Sequence, residues 1–423
     1  MSATTDRSPG GGFFSPAPTS CAAPVPAPEE PVRVVPLVVA GVLAVALSWY
    51  VWSSFGGKFG SLLVIGLFLG LALFHSRFGF TSAWRQLVAV GNGTGVRAHA
   101  VLLGTTATLI ALIAGTGTGL FGATPKFTPS PIGLALFVGA TLFAIGMQLG
   151  GACASGTLFA VGAGQSTIVL TLGGFITGSV IYTWAYPAFT GWPQVPGLVL
   201  ADHVGWWGSW AITIVALLAV AAVSRVIQAR RTPPPVAPVP TARGFARLFR
   251  GSWPLLTGAI VLAVLAAAVV LVSGGPWGVT SAFALWGAKL LQLLGLHPET
   301  WDYWRASANA KSLAAPIWTD KTSLTDIGIM IGAAVAAAAA GTWKIRAEIP
   351  WRTAVAAVLG GILMGIGARL AGGCNIGAYL AGVSTGNLYG WLWGLFALGG
   401  TWIGLKIRPL FGLGNPVPTD SIC

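Results

Sequence analysis

Residues 132–156 read IGLALFVGATLFAIGMQLGGACASG, an apolar run that ends in a glycine-rich turn with one cysteine. The run up to residue 150 is long enough for a membrane-spanning helix, which needs about 20 residues. The turn interrupts it, and the apolar piece that follows at 155–164 is too short to cross a bilayer. Because non-helical backbone inside a membrane must be buried in protein or line a cavity, the stretch predicts a broken or re-entrant helix beside a solute passage.

The same pattern occurs a second time as GARLAGGCNIG at 367–377, again followed by a short apolar piece, at 376–383. Aligned with GMQLGGACASG at 146–156, it matches Gly146 with Gly367, Leu149 with Leu370, Gly151 with Gly372, Cys153 with Cys374 and Gly156 with Gly377. The repetition predicts two related halves, each with its own broken helix.

Another pair of related stretches, FGFTSAW at 78–84 and WGVTSAF at 277–283, predicts a second pair of re-entrant pieces. The charges of the loops orient the segment 97–120 outward and its counterpart 325–343 inward. The two copies would then have opposite topology. Inverted repeats of this kind place the solute site at their interface near the bilayer midplane.

Of the 423 residues, 55% are hydrophobic and 8% are charged, against about 25% charged residues in an average soluble domain. This composition excludes a water-soluble globule and predicts an all-α, polytopic transmembrane protein embedded in a lipid bilayer. About ten spans are expected, at 33–54, 60–77, 97–120, 132–150, 166–189, 205–228, 254–274, 325–343, 352–370 and 386–407.

The chain divides at a basic, proline-rich linker, residues 229–253, which carries five Arg and no acid. The positive-inside rule makes this linker cytoplasmic and predicts that both termini are cytoplasmic as well. The linker separates a first transmembrane half at 33–228 from a second at 254–410. Residues 1–32, rich in Pro, Gly, Ser and Ala, predict a disordered tail, and 411–423 form a C-terminal tail.

The charged residues narrow the choice of solute. The net charge is +13, but the basic residues lie in loops between apolar runs, so nucleic-acid binding is not indicated. No Asp or Glu occurs between Glu30 and Asp202. Since intramembrane carboxylates usually hold protons, sodium ions or cationic substrates, this gap argues against a cation passage and favours an anion or a neutral solute. We expect a passage that is free of carboxylates.

Cofactors are not expected. The four Cys, at positions 21, 153, 374 and 423, form no close pair, so neither a disulfide scaffold nor a metal site is indicated. The phosphate-binding pattern GxxxxGK[ST] is absent from the sequence, so energy would come from a gradient, a partner or consumption of the solute.

The candidate binding residues lie in the repeated motifs. Cys153 and Cys374 supply thiols, and the N–H groups of the short helices that begin beside them suit an anion. The glycines expected to permit the turns and a close approach of the ligand are Gly151, Gly156, Gly372, Gly373 and Gly377. The hydroxyl donors are Thr81, Ser82, Thr280 and Ser281. Arg369, inside an apolar run where the first half has Gln148, is expected to face a cavity, an anion or a carbonyl.

Each of these candidates has a purely structural alternative. A lone buried Cys is usually inert packing, although two at equivalent positions favour a constriction lined by both thiols. The hydroxyls can satisfy local helix carbonyls, and Arg369 can extend to the membrane interface. Cys21 and Cys423 lie in the tails, where no transport role is expected.

The motifs GGACASG, AGGCNIG and SRFGFTSAWR resemble the YeeE/YedE family of bacterial inner-membrane proteins, the sulphur-transport domain family, over about residues 60–407. The resemblance implies thiosulfate uptake through an hourglass-shaped body whose central cysteines pass the ion along by S–H contacts. Carried over to this chain, those thiols are Cys153 and Cys374. The family pattern often has a further Cys where this sequence has Gly79-Phe80-Thr81. Relatives connected with selenium metabolism share the motifs.

The leading hypothesis is therefore a transporter, not an enzyme, for thiosulfate or a related sulfur-containing anion, with a selenium-containing anion as an alternative. A cytoplasmic sulfur-carrier protein is a candidate partner. A membrane thiol oxidoreductase, with a disulfide formed between Cys153 and Cys374, is the alternative from another class, but it would need a resolving partner or a quinone site. A structural membrane subunit is the third hypothesis, and it predicts that Cys→Ala changes have no phenotype.

Overall fold

The computed structural model describes residues 31–231, 233, 246–345 and 348–417. Most of the predicted N-terminal tail, the middle of the predicted linker and the chain end from 418 onward therefore lie outside the described residues. Cys21 and Cys423 are among the positions outside, so the prediction that they have no transport role stays a prediction.

The described chain is helical almost throughout, as the composition predicts. The first half contains α1 (Val34–Phe55), α2 (Gly57–Ser76), α3 (Phe80–Val90), α4 (Thr94–Thr116), α5 (Leu134–Gly150), α6 (Ala154–Gly162), α7 (Ser166–Trp184) and α8 (Ala201–Arg231). The second contains α9 (Arg247–Arg250), α10 (Leu255–Ser273), α11 (Thr280–Leu293), α12 (Asp302–Arg305), α13 (Ser307–Ala314), α14 (Lys321–Ala339), α15 (Trp351–Leu370), a π-helical segment (Asn375–Leu380), α16 (Ala381–Ser384) and α17 (Leu388–Ile407). Two short antiparallel strands, β1 (Ile132–Gly133) and β2 (Gln194–Val195), pair in the first half.

Nine segments of the described chain are long and apolar enough to span a membrane. Each of the ten predicted spans coincides with one of the longer helices. The tenth, α17, is not among the nine because its many Gly and Trp residues lower its mean hydropathy. The prediction of a polytopic helical membrane protein is confirmed.

The two halves pack against each other through glycines, and one such contact joins α5 of the first half to α15 of the second. A Cβ atom added at Gly146 would lie 2.5 Å from the carbonyl oxygen of Gly360, and one at Gly367 would lie 2.5 Å from the amide nitrogen of Phe143. Only glycine permits this backbone contact, which is the usual way membrane helices approach without a hydrophobic driving force. The α2–α14 and α7–α15 pairs are built in the same way, so the halves form one interlocked body.

The four predicted re-entrant pieces are all short helical segments, namely α3, α6, α11 and the π segment with α16. The first break falls at Gly151, whose φ of +83° lies in the left-handed region, and the second at Gly372, with φ +58°. Side chains rarely adopt such values, so glycine permits the chain to turn at both points. The predicted interruptions after α5 and α15 are therefore present.

Candidate functional site

The two repeated cysteines are buried in the same hydrophobic cluster. Cys153 is 1% exposed and Cys374 is 0% exposed, and both belong to one cluster of buried residues. Each immediately precedes a short helical segment, α6 for Cys153 and the π segment for Cys374, and each has an extended backbone. They are close enough to interact electrostatically, yet both are free thiols. The fold thus brings together two residues that are 221 positions apart in the sequence.

Backbone amides surround the second thiol, as expected for the start of a helix. The N–H groups of Ile376 and Gly377 are hydrogen-bond partners for the Cys374 sulfur. The Cys153 sulfur lies 3.7 Å from the hydroxyl of Ser155, and the Thr157 hydroxyl donates to the Cys153 carbonyl oxygen over 2.9 Å. Sulfur, hydroxyl and amide groups are therefore all present where the two short segments begin.

The glycines of the motifs have separate roles. Gly151 and Gly372 form the turns, and Gly373, with φ +159°, continues the second one. A Cβ atom added at Gly156 would lie 3.2 Å from the Cys153 sulfur, so the missing side chain leaves room beside the thiol. One at Gly377 would lie 3.7 Å from Cα of Gly278, so the second cysteine motif contacts the WGVTSAF stretch.

The four predicted hydroxyl donors divide into two kinds. Thr81 is buried and its hydroxyl has no hydrogen-bond partner among the described residues. The Thr280 hydroxyl accepts a hydrogen bond from Arg369. Ser82 donates to the Gly79 carbonyl oxygen over 3.2 Å and so satisfies a local group, whereas Ser281 donates to the Thr322 hydroxyl of α14 over 2.9 Å and so joins two helices.

Arg369 is half-buried, and its guanidinium is held by oxygen atoms of neutral side chains. One guanidinium nitrogen donates to the phenolic oxygen of Tyr303 and another to the hydroxyl of Thr280, each over 3.2 Å. Its Nε atom is buried without a partner in the described part of the chain. A cation held by neutral oxygens keeps its full charge available to an anion.

A second arginine, Arg85, occupies a comparable place in the first half, and sequence reasoning missed it as a binding residue. Gln148 is the repeat counterpart of Arg369 and is fully buried. It accepts a hydrogen bond from Nε of Arg85 over 2.9 Å and donates to the Thr81 carbonyl oxygen over 3.3 Å. In both halves, then, the residue five positions before the cysteine contacts the threonine of the TSA motif. The alignment of Gln148 with Arg369 could have pointed to Arg85, because a Gln buried at the position of an Arg needs a hydrogen-bond partner from another residue.

The absence of carboxylates from the passage stays a prediction, and one buried carboxyl group in the second half bears on it. Asp326 on α14 is 0% exposed and interacts electrostatically with Cys374. The predicted span began at residue 325, which placed Asp326 at its edge. In the structure α14 begins at Lys321, because the carboxylate of Asp320 accepts a hydrogen bond from the Ser323 amide over 2.7 Å and caps the helix. Asp326 therefore lies more than one turn inside the helix.

Two cavities share Arg77 in their lining. One, of about 690 Å³, is lined by the cations Arg77 and Lys344, by polar groups that include Gln165 and Thr167, and by Phe159 of α6. The other, of about 500 Å³, is lined by Arg77, Asn92 and His99 among others. The first cavity is also lined by Ile168, whose Cδ1 atom would lie 3.7 Å from a Cβ atom added at Gly151, so it reaches the first cysteine motif.

Comparison with known proteins gives the relationships of the chain. A relative named Probable transporter YedE, from Salmonella typhimurium, is 35% identical over 187 residues, which are 41% of this chain and 44% of that protein. The match to YedE thus covers less than half of that relative's length. Two relatives named Thiosulfate transporter TsuA, from Spirochaeta thermophila and Escherichia coli, are each 26% identical over 80% of this chain, covering 96% and 92% of their own lengths.

The family relationship extends over most of the membrane body. The model of the family described as Sulphur transport matches residues 75–403, a range that includes both cysteine motifs, both TSA motifs, Arg85, Asp326 and Arg369. This match confirms the resemblance seen in the motifs. The chain belongs to the Sulphur transport family, within which YedE and the TsuA transporters are its relatives.

Proposed function

We propose that the protein is a membrane transporter, not an enzyme, which takes up thiosulfate or a related sulfur-containing anion between Cys153 and Cys374. The observation that carries this proposal is the presence of two free, buried thiols in one cluster, each at the start of a short helical segment. The names of the TsuA relatives support thiosulfate as the substrate.

The sulfur chemistry explains why thiols suit this substrate. Thiosulfate has a terminal sulfur that is larger and more weakly hydrated than an oxygen, so it loses less hydration on entering a site lined by thiols. The amides near Cys374 and the hydroxyl near Cys153 supply donors for the oxyanion end. Sulfate is more strongly hydrated, so it would lose more hydration free energy on entering the site than hydrogen bonds from these few donors would replace.

The route on either side of the thiols follows the arginines. Arg369 attracts the anion on one side, and on the other side the cavity with Arg77 and Lys344 receives it. The positive-inside rule makes that cavity cytoplasmic in a bacterial inner membrane, together with the 229–253 linker and both termini. A cytoplasmic sulfur-carrier protein would receive the anion at this face.

The proposed inverted repeats are supported by matched contacts. Gln148 reaches Thr81 in the first half, and Arg369 reaches Thr280 in the second. A pseudo-two-fold relation between the halves would produce both contacts and would bring Cys153 and Cys374 toward each other.

The burial of both thiols argues against the oxidoreductase alternative. A disulfide exchange step needs an accessible sulfur and a resolving thiol or quinone. Cys153 and Cys374 are 1% and 0% exposed, so an external redox partner has no access to either in this conformation.

The test is the uptake of radiolabelled thiosulfate in cells that lack other importers. We expect uptake by the wild-type protein, poor competition by excess sulfate, and loss of uptake in the Cys153→Ala and Cys374→Ala variants. Cys21→Ala and Cys423→Ala are the matched controls and should transport normally. Normal uptake by the Cys153→Ala, Cys374→Ala double variant would disprove the role of the thiols, and equal competition by sulfate would show a general dianion pathway.

A further inference from the structure

Asp326 is a buried acid that the proposed passage does not explain. Its side chain is 0% exposed, and both carboxyl oxygens lack a hydrogen-bond partner among the described residues. Asp320, six residues earlier on the same element, is half-buried and caps the helix, so its carboxylate has a structural role. No such role is apparent for Asp326.

Within the part of the chain that the structure describes, no cation interacts with Asp326. Its electrostatic interactions are with Cys374 of the second cysteine motif and with Asp320 of its own helix. Lys321 lies near Asp320 and Lys58, and donates to the Pro276 carbonyl oxygen over 3.1 Å. The remaining titratable groups on the elements packed against α14 are Tyr50 on α1, His75 on α2, Lys289 on α11, and Arg247 and Arg250 on α9.

Most of these remaining groups have partners elsewhere. His75 contacts the Gly251 carbonyl oxygen over 3.0 Å, and Lys289 donates to the Leu313 carbonyl oxygen over 2.9 Å. The ring of Tyr50 packs against Trp318. The nine residues of α6, which also packs against α14, include no titratable side chain.

The burial of Asp326 determines which protonation state of its side chain is favoured. An ionised carboxylate that is buried with neither a cation nor a hydrogen-bond donor is costly, so the neutral acid is the form compatible with this site. A dianion between the thiols adds a negative charge close by and strengthens that requirement. The protonated acid also offers an O–H donor to the anion.

We propose that Asp326 binds a proton that is taken up together with the anion, so that transport is proton-coupled. This inference rests on the proposed uptake of a sulfur-containing anion. The proton comes from outside water and is held on a carboxyl oxygen of Asp326 while the anion occupies the thiols. It is released to inside water after the anion leaves, when water enters the vacated site and solvates the ionised carboxylate. Each proton reduces the negative charge that moves into a cell whose interior is negative, and so favours accumulation.

The experiment uses the purified full-length protein in liposomes with a pH-sensitive dye inside. For the wild type, we expect external thiosulfate to acidify the lumen and an acidic outside to raise uptake several-fold. Asp326→Asn, which has the same shape but binds no proton, should lose both effects. Asp326→Glu should retain them, and so should the matched control Asp320→Asn, because Asn also caps a helix.

The outcomes separate this inference from the proposed function. Thiosulfate uptake by the wild type without proton movement, or proton movement by Asp326→Asn equal to the wild type, would overturn the coupling and leave the transporter intact. Absence of wild-type uptake would overturn the proposed function. In that case infrared difference spectroscopy decides whether Asp326 binds a proton: the carbonyl band of a protonated acid, present in the wild type and missing in Asp326→Asn, supports the assignment, and its absence from the wild type refutes it.

Discussion

The two halves of the molecule build the same junction from different residues. In the second half, Arg369 on α15 itself contacts the threonine of the TSA motif. In the first half, the matching position on α5 is the neutral Gln148, and the guanidinium comes from Arg85 on α3. Both halves therefore keep the contact between the position five residues before the cysteine and the threonine. They differ in which helix carries the positive charge, because Arg85 on the neighbouring helix α3 takes the place of a charged side chain at position 148.

A second difference concerns the segments that follow the cysteines. After Cys153 the chain forms the regular helix α6, whereas after Cys374 it forms a π-helical segment. π-helical turns are rare and frequently mark functional sites. The buried acid Asp326 also interacts with the second cysteine. The two halves therefore have the same order of motifs, but only the second combines its cysteine with a π-helical segment and a buried acid.

The largest effect is expected where the halves touch. Gly146→Leu and Gly367→Leu place a side chain where the neighbouring backbone is only 2.5 Å from a Cβ atom, so the α5–α15 contact cannot form. Overpacking typically costs about 1–3 kcal/mol and can cost more, and here the added side chain meets backbone that has no room to move, so we expect loss of folded protein from the membrane. Size-exclusion chromatography in detergent measures it. Gly173→Leu and Gly399→Leu, with open space around the Cβ position, are the controls and should remain folded.

The next effect concerns the thiols. Cys153→Ser and Cys374→Ser keep a hydroxyl donor but remove the soft sulfur, so we expect thiosulfate uptake to fall by at least about 10-fold, which corresponds to about 1.4 kcal/mol. Competition assays should show a smaller preference for thiosulfate over sulfate. Unchanged preference in both variants would mean that the selectivity lies elsewhere.

The positive charge of the first half can be moved from position 85 to position 148, where the second half has its arginine. Arg85→Gln should reduce uptake by about 10-fold, because a hydrogen bond to a charged group contributes about 1.5–3 kcal/mol. Adding Gln148→Arg gives the first half the arrangement of the second, and we expect it to restore part of the uptake. Initial rates of labelled thiosulfate uptake measure both variants. If the double variant is no better than Arg85→Gln, the two junctions are not equivalent.

The smallest effect on activity is expected from labelling sites that report orientation. In a background with Cys21→Ala and Cys423→Ala, single cysteines replace Gly117, after α4, and Lys344, after α14. Inverted topology predicts that an impermeant thiol reagent labels position 117 from outside and position 344 only from inside. Labelling of both positions from the same side would exclude inverted repeats of the kind proposed.

By itself, the sequence was sufficient for the membrane class, the order of the helices and the two broken segments. Runs of apolar residues and glycine-rich turns act locally, and a helix satisfies its backbone within its own segment, so these features can be seen without the fold. The motifs around Cys153 and Cys374 were also sufficient to identify the family, which the match over 75–403 confirms.

Only the tertiary structure decided which distant residues share one environment. The nearness of Cys153 to Cys374, the bond from Arg85 to Gln148 and the backbone contact of α5 with α15 all join parts far apart in the chain. Asp326 illustrates the physical reason most clearly. Its place near the end of an apolar run was consistent with a solvated helix start, and only the packing of α14 against α2 and α6 removed it from water.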